Sequence, residues 1–176
     1  MQEVRATLPV HPVDLEPFRL GGPADRAAVA AAVDAACRDS GFLLVSGHGV
    51  PTSVCDAALD GFGAFFDRPL AEKRRCIVAD ETANRGYSEL GKEGLAYSRG
   101  EETPPDLFEA FNVGREDTNG PEYDPDRAFY APNVWPERPV GLRETWLDYE
   151  DALRGVSDTL LRAMALALSL PEAWFT

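Results

Sequence analysis

His11 and His48 are the chain's two histidines, and Asp14 is the carboxylate closest in sequence to the first of them. Two imidazoles and one carboxylate on a common face are the set that holds Fe(II) with positions left open for oxygen and a cosubstrate. His11 runs into Pro12-Val13 and His48 into Gly49-Val50, so neither begins an H-x-D pair. No helical spacing joins His11 to Asp14, and His48 falls in a turn, so these residues do not predict a metal centre. Arg85-Gly86-Tyr87-Ser88 brings a guanidinium and two hydroxyls to a predicted strand end. An arginine there suits a carboxylate clamp, and a surface ion pair uses it equally well. Glu101-Glu102, with Tyr97 and Arg99 nearby, could divide acid and base work if their pKa values were split, but glutamates in a Gly/Pro-rich loop read as solvated. Cys37, Cys55 and Cys76 form no C-x-x-C pair, which argues against zinc and for reduced thiols; the first two fall on predicted apolar helix stripes and read as core residues.

The elements that would position these groups follow from punctuation and periodicity. Pro9 and Pro12 precede Val13-Asp14-Leu15, a short extended entry. Gly22-Pro23 opens a helix with proline in its first turn, Val29, Val33, Ala36 and Cys37 form its apolar face, and Gly41 closes it. Phe42-Leu43-Leu44-Val45 reads as a strand buried on both faces. After the turn at Gly47 to Pro51, Ser53 and Asp56 read as a capping box. Val54, Ala58, Phe62, Phe65 and Phe66 then repeat at helical spacing until Pro69. Leu70 to Cys76 suggests a short basic helix. From Asp80 to Pro139 the texture turns to Gly, Pro, Asn and charge, with strand candidates at Arg85 to Ser88 and Leu107 to Val113. A long backing helix is expected over about 140–169, where Leu142, Trp146, Tyr149, Leu153, Val156, Leu160, Ala163 and Ala167 alternate four and three apart. Gly155 costs that helix about 1 kcal/mol relative to alanine, so packing must hold it together.

The 176 residues suit one domain. Thirty acidic against 17 basic side chains give a formal charge of -13, a field that repels a phosphate backbone and disfavours nucleic acid as a partner. No apolar run approaches the roughly 18 residues a membrane span needs, and Met1 to Arg5 carries neither half of a secretion signal. A cytoplasmic protein without a membrane partner is the expectation.

Taken in order, the motifs resemble one family. Val13-Asp14-Leu15 with Pro17-Phe18 is similar to an opening I-D-L-x-P-F, Ala36-Cys37 through Gly41-Phe42 to A-C-x-x-x-G-F, and Val45 through Pro51 to V-x-N-H-G-V-P with Gly47 for the usual Asn. Phe65-Phe66 and Pro69 to Lys73, then Arg85-Gly86-Tyr87, Asp106 to Phe111, Asn133-Val134-Trp135-Pro136 and Leu168-Ser169-Leu170-Pro171-Glu172 follow as that pattern requires. The chain thus resembles the N-terminal region of the isopenicillin N synthase-like 2-oxoglutarate/Fe(II)-dependent oxygenases. The resemblance implies an α+β fold, the helical and strand portion flanking a double-stranded β-helix (jelly-roll) core, with the metal-binding core strands missing.

It further implies an oxidoreductase, a dioxygenase using Fe(II) and 2-oxoglutarate on a small organic molecule by hydroxylation, desaturation or ring closure. The family's H-x-D, distal His and R-x-S are not found together here. The one R-x-S, Arg38-Asp39-Ser40, sits at a helix end and reads as capping polarity. The isolated chain is therefore expected to be inactive, its catalytic and metal residues none, and its partner the missing C-terminal catalytic half in cis or in trans. The resemblance places Arg85, Tyr87 and Ser88 at the mouth of the active site as candidate substrate-binding residues. An arginine that isopenicillin N synthase carries two residues before the glycine is Asn84 here, which speaks against a tripeptide substrate of that kind. The alternative is a truncated, non-catalytic paralogue serving as an interaction or oligomerisation module.

Overall fold

In the computed structural model, residues 12–80, 83–92, 104, 106–116 and 130–176 are described. His11, Tyr97, Arg99, Glu101 and Glu102 lie outside them. The chain divides into two compact units, Met1–Cys55 with Leu147–Thr176, and Asp56–Trp146.

The first unit begins with β1 (Val13–Asp14), α1 (Glu16–Leu20), α2 (Pro23–Asp39) and β2 (Val45–Ser46). β1 and β2 pair in parallel, Val13 opposite Val45 and Asp14 opposite Ser46. A parallel pair cannot be joined by a tight turn, so the two helices supply the crossover. Pro23 occupies the first turn of α2, and the Asp25 carboxylate accepts the Gly22 N–H at 2.8 Å. α2 ends in Ser40 and in Gly41 at φ +72°, a conformation that favours glycine. Leu15, Phe18, Val29, Val33 and Ala163 form the buried core, with Leu43, Val45, Val156 and Leu160 packed against it.

Two expectations fail in this unit. Phe42 and Leu44 are 68% and 52% exposed, so the apolar run is not a strand buried on both faces, and pairing begins only at Val45. The run instead alternates: Leu43 and Val45 turn to the core, Phe42 and Leu44 away from it, as period-two backbone requires when one face is covered. Cys37 is exposed and Cys55 half-buried, while Cys76 is the buried thiol. One helical position separates Cys37 from Ala36, and that rotation of about 100° moves it off the stripe.

The helix α3 (Thr52–Phe66) starts ahead of the expected box, and Pro51 C=O accepts the Val54 N–H at 3.0 Å, so Ser53 lies inside the helix. In the second unit α3 buries Ala58 and Phe65. α4 (Leu70–Lys73) passes into a 3-10 turn at Arg74–Cys76, in place of one continuous helix. β3 (Gly86–Ser88) and β4 (Ala110–Asn112) pair antiparallel with Tyr87 opposite Phe111. Phe111 meets Phe65 edge-on at 4.8 Å between ring centroids. Gly86 holds φ +72°, and a Cβ there would run into the Cys76 carbonyl.

α5 (Leu142–Ala167) continues unbroken through Gly155. Among the described residues the fold is thus mixed α+β with two two-stranded sheets and no closed barrel. The end of α5 is a Schellman motif: Leu170 N–H reaches the Ala165 carbonyl at 2.9 Å and Ser169 N–H the Leu166 carbonyl at 2.9 Å. The residue at its left-handed position is Ser169, φ +60°, not glycine. Arg26 and Arg162 then converge on Glu172 at 3.2 and 3.5 Å and fasten the segment that follows.

A non-glycine residue in the left-handed region carries strain of about 1 kcal/mol. Ser169→Gly is therefore expected to raise the unfolding free energy by about 0.5–1 kcal/mol, the relief being partly offset by the more flexible unfolded chain. Urea titration checks this, and an unchanged or lower midpoint contradicts it.

Candidate functional site

A buried lysine beside the Tyr87 ring organises the second unit. Pro69 opens α4, and its single turn carries Lys73 inward until only 8% of the residue is exposed. An ammonium so placed needs hydrogen-bond acceptors and a counter-charge. The Lys73 Nζ donates to the Phe66 carbonyl at 3.0 Å and to both Glu109 oxygens at 3.0 and 2.7 Å. It also lies 5.4 Å from the centroid of the Tyr87 ring. The Tyr87 hydroxyl donates to Glu109 Oε2 through a short hydrogen bond. One carboxylate thus ties α4 to β3.

The hydrogen bonds from Lys73, then from Tyr87, hold Glu109 below the usual carboxylate range against the opposing effect of burial. Burial first, and the Glu109 carboxylate second, push the Tyr87 phenol up to about 12. Near neutral pH the first stays ionised and the second protonated. Neither suits proton transfer at that pH, and both side chains are tied up in the hydrogen bonds that join α4 to β3. Next along the chain, the exposed Arg74 donates through Nε to Glu89 Oε1 at 2.7 Å.

β3 places the three predicted residues together. Arg85, Tyr87 and Ser88 border one cavity of about 230 Å³, shared with Asn84 and Asn112. Tyr87 is buried and Ser88 half-buried. The Arg85 guanidinium donates to the carbonyls of Ala131, Ala83 and Asn84 at 3.1, 3.2 and 3.1 Å, which fixes where it stands. It also lies against Gly114, where any side chain would displace it.

The far side of the hairpin is clamped by Glu116. Its carboxylate accepts the Trp135 indole N–H at 2.6 Å, the Asn133 amide at 3.4 Å and the Arg143 guanidinium. Burial opposes its ionisation, yet those donors hold it below the usual carboxylate range. Asn133 also exchanges two hydrogen bonds with the Gly114 backbone at 2.8 and 2.7 Å. The Asn133-Val134-Trp135-Pro136 motif therefore serves the scaffold. Sequence reasoning assigned no role to Lys73, Glu109 or Glu116; their only signal was that the first two fall inside recurring motifs.

The described residues do not fit an Fe(II) site. No group of three or more His, Cys, Asp or Glu side chains comes together among them. His48 Nδ1 accepts the Val50 N–H at 3.1 Å, an engagement that closes the turn. The Arg38-Asp39-Ser40 stretch does not suit a cosubstrate either: Arg38 pairs with Asp34 at 2.8 Å, and Ser40 Oγ bonds the Ala36 and Phe42 carbonyls.

Residues 10–138 match the family described as non-haem dioxygenase in morphine synthesis, N-terminal. Validamycin A dioxygenase of Streptomyces hygroscopicus subsp. limoneus is 32% identical over 164 residues, 93% of this chain and 44% of that protein. The 2-oxoglutarate-dependent dioxygenase thnC of Trichoderma harzianum is 35% identical over 180 residues, 99% and 53% of the two. The chain spans about half the length of these relatives. The fold matches that of full-length Neurospora crassa T7H in complex with alpha-KG, with a TM-score of 0.75 and 24% identity over 93% of this chain and 48% of that one. Among the described residues no helix is long and apolar enough to cross a membrane.

Lys73→Met leaves Glu109 without its main partner and is expected to destabilise the fold by about 1–3 kcal/mol at pH 7. Because the folded pKa of Glu109 is lowered, its contribution is complete above the unfolded value of about 4.3 and is lost as pH falls through the folded value. The gap between wild type and variant should therefore narrow toward pH 3. Urea unfolding at both pH values reads this, and a gap that widens in acid contradicts it.

Proposed function

The chain belongs to the non-haem dioxygenase family, in its N-terminal region, and on that premise we propose that it serves a 2-oxoglutarate/Fe(II) oxygenase acting on a small organic molecule. Its part is to shape and border the substrate, while iron and 2-oxoglutarate are held by residues of a further part of the protein, in cis or in trans. Iron supplies oxygen activation there, and this chain's residues supply position.

Arg85, Tyr87 and Ser88 are the residues proposed to meet substrate. The observation that carries the reading is that all three border a single polar cavity on β3. The Lys73–Glu109–Tyr87 network supports the strand from behind, leaving Ser88 and the carbonyl-held Arg85 to offer a hydroxyl and a guanidinium. Such a pair recognises an oxygen-bearing substrate, a carboxylate above all. Hydroxylation, desaturation and ring closure all remain consistent with this part of the scaffold, since the fold does not select among them.

The 176-residue chain, incubated with Fe(II), ascorbate, 2-oxoglutarate and oxygen, is expected to form no succinate above an iron-free control. The same chain joined to a segment carrying H-x-D, a distal His and R-x-S should form it. Iron-dependent succinate from the chain alone would refute the assignment.

A further inference from the structure

A second cavity in Asp56–Trp146 has a charge balance opposite to that of the chain. It encloses about 380 Å³ beside the Arg74–Cys76 turn. Arg68, Arg75 and Arg138 border it against Glu72 and Glu137, one cation in excess within a chain of formal charge -13. The pairings sharpen this imbalance. Arg68 grips Glu72 through Nε at 2.9 Å and Nη2 at 2.5 Å, which satisfies that carboxylate locally. Arg75 and Glu137 stand 3.9 Å apart, with side chains 71% and 91% exposed. So open and long a pair is worth little and holds Arg75 only weakly. The Arg138 guanidinium has no hydrogen bond or ion pair among the described residues. Trp135 adds a flat apolar wall, fixed by its indole N–H on Glu116 at 2.6 Å.

We infer that this cavity binds a small organic anion, a carboxylate or phosphate head on a flat apolar body, through Arg75, Arg138 and Trp135. Guanidinium forks match two oxygens of either head. Indole and guanidinium faces also accept planar rings, and the volume lies within the range of small-ligand pockets. The cavity shares no lining residue with the one on β3, so the inference goes beyond the function proposed above and does not rest on it.

Benzoate and phenyl phosphate are the probes, with neutral benzyl alcohol for comparison, and the Trp135 indole N–H resonance of the 176-residue chain is the readout. A saturable shift is expected with at least one anion and none with the alcohol; which anion saturates tells the head group. Arg75→Gln with Arg138→Gln, both at exposed positions, should weaken binding at least about tenfold. Arg38→Gln removes one charge from α2 and should leave affinity unchanged. No saturable shift at millimolar anion, equal binding of the alcohol, an unweakened double variant, or an equal loss in Arg38→Gln would overturn the inference.

Discussion

An ammonium withdrawn from water beside an aromatic ring tolerates few arrangements, and Lys73 meets that demand through Glu109. The carboxylate must come to the lysine, so β4 is drawn to a fixed place. The Tyr87 hydroxyl then completes the carboxylate's shell and sets β3 against it. Hydrogen bonds alone give a pair of three-residue strands little independent stability. The half-buried ion pair and the Phe65, Phe111 and Tyr87 rings together give it a defined face. A pair of this kind is weak evidence for net stability against an apolar replacement, but it penalises the wrong register heavily, because displacement would strand a charge. Its effect here is to fix β3, the strand that Arg85 precedes and Ser88 ends.

The described side chains are engaged in structural contacts. Glu109 is held below the usual carboxylate range and Tyr87 is pushed up, His48 closes its own turn, and no metal-ligating group converges among the described residues. What remains is architecture: a crossover pair of strands, a long helix and a hairpin with a polar cavity. A family that carries many reactions can keep such a region while varying the few side chains that border substrate.

Local rules made much of this visible in the sequence. α5 announces itself because its stripe runs for seven turns, and Gly41 and Pro23 mark the ends of α2 through backbone preferences that act within a few residues. The β3 motif was legible as a short strand with polar ends. Phe42 and Leu44 misled because an unbroken apolar run cannot reveal whether one face or two will be covered. Cys37 misled by one position, and Ser53 because Thr52 had already entered the helix. Ser169 stands in a left-handed position that sequence would assign to glycine, and only the hydrogen bonds around Leu170 reveal it. Lys73 and Glu109 are 36 residues apart, and nothing in either neighbourhood foretells the pairing.

Native-state hydrogen exchange in a Glu109→Gln variant tests the central claim most directly. If the carboxylate holds the hairpin in place, the β3 and β4 amides should exchange about tenfold faster or more, while amides of the Val29 to Val33 segment keep their protection. Unchanged protection across β3 and β4 would contradict the account, leaving the aromatic packing alone to position the strand.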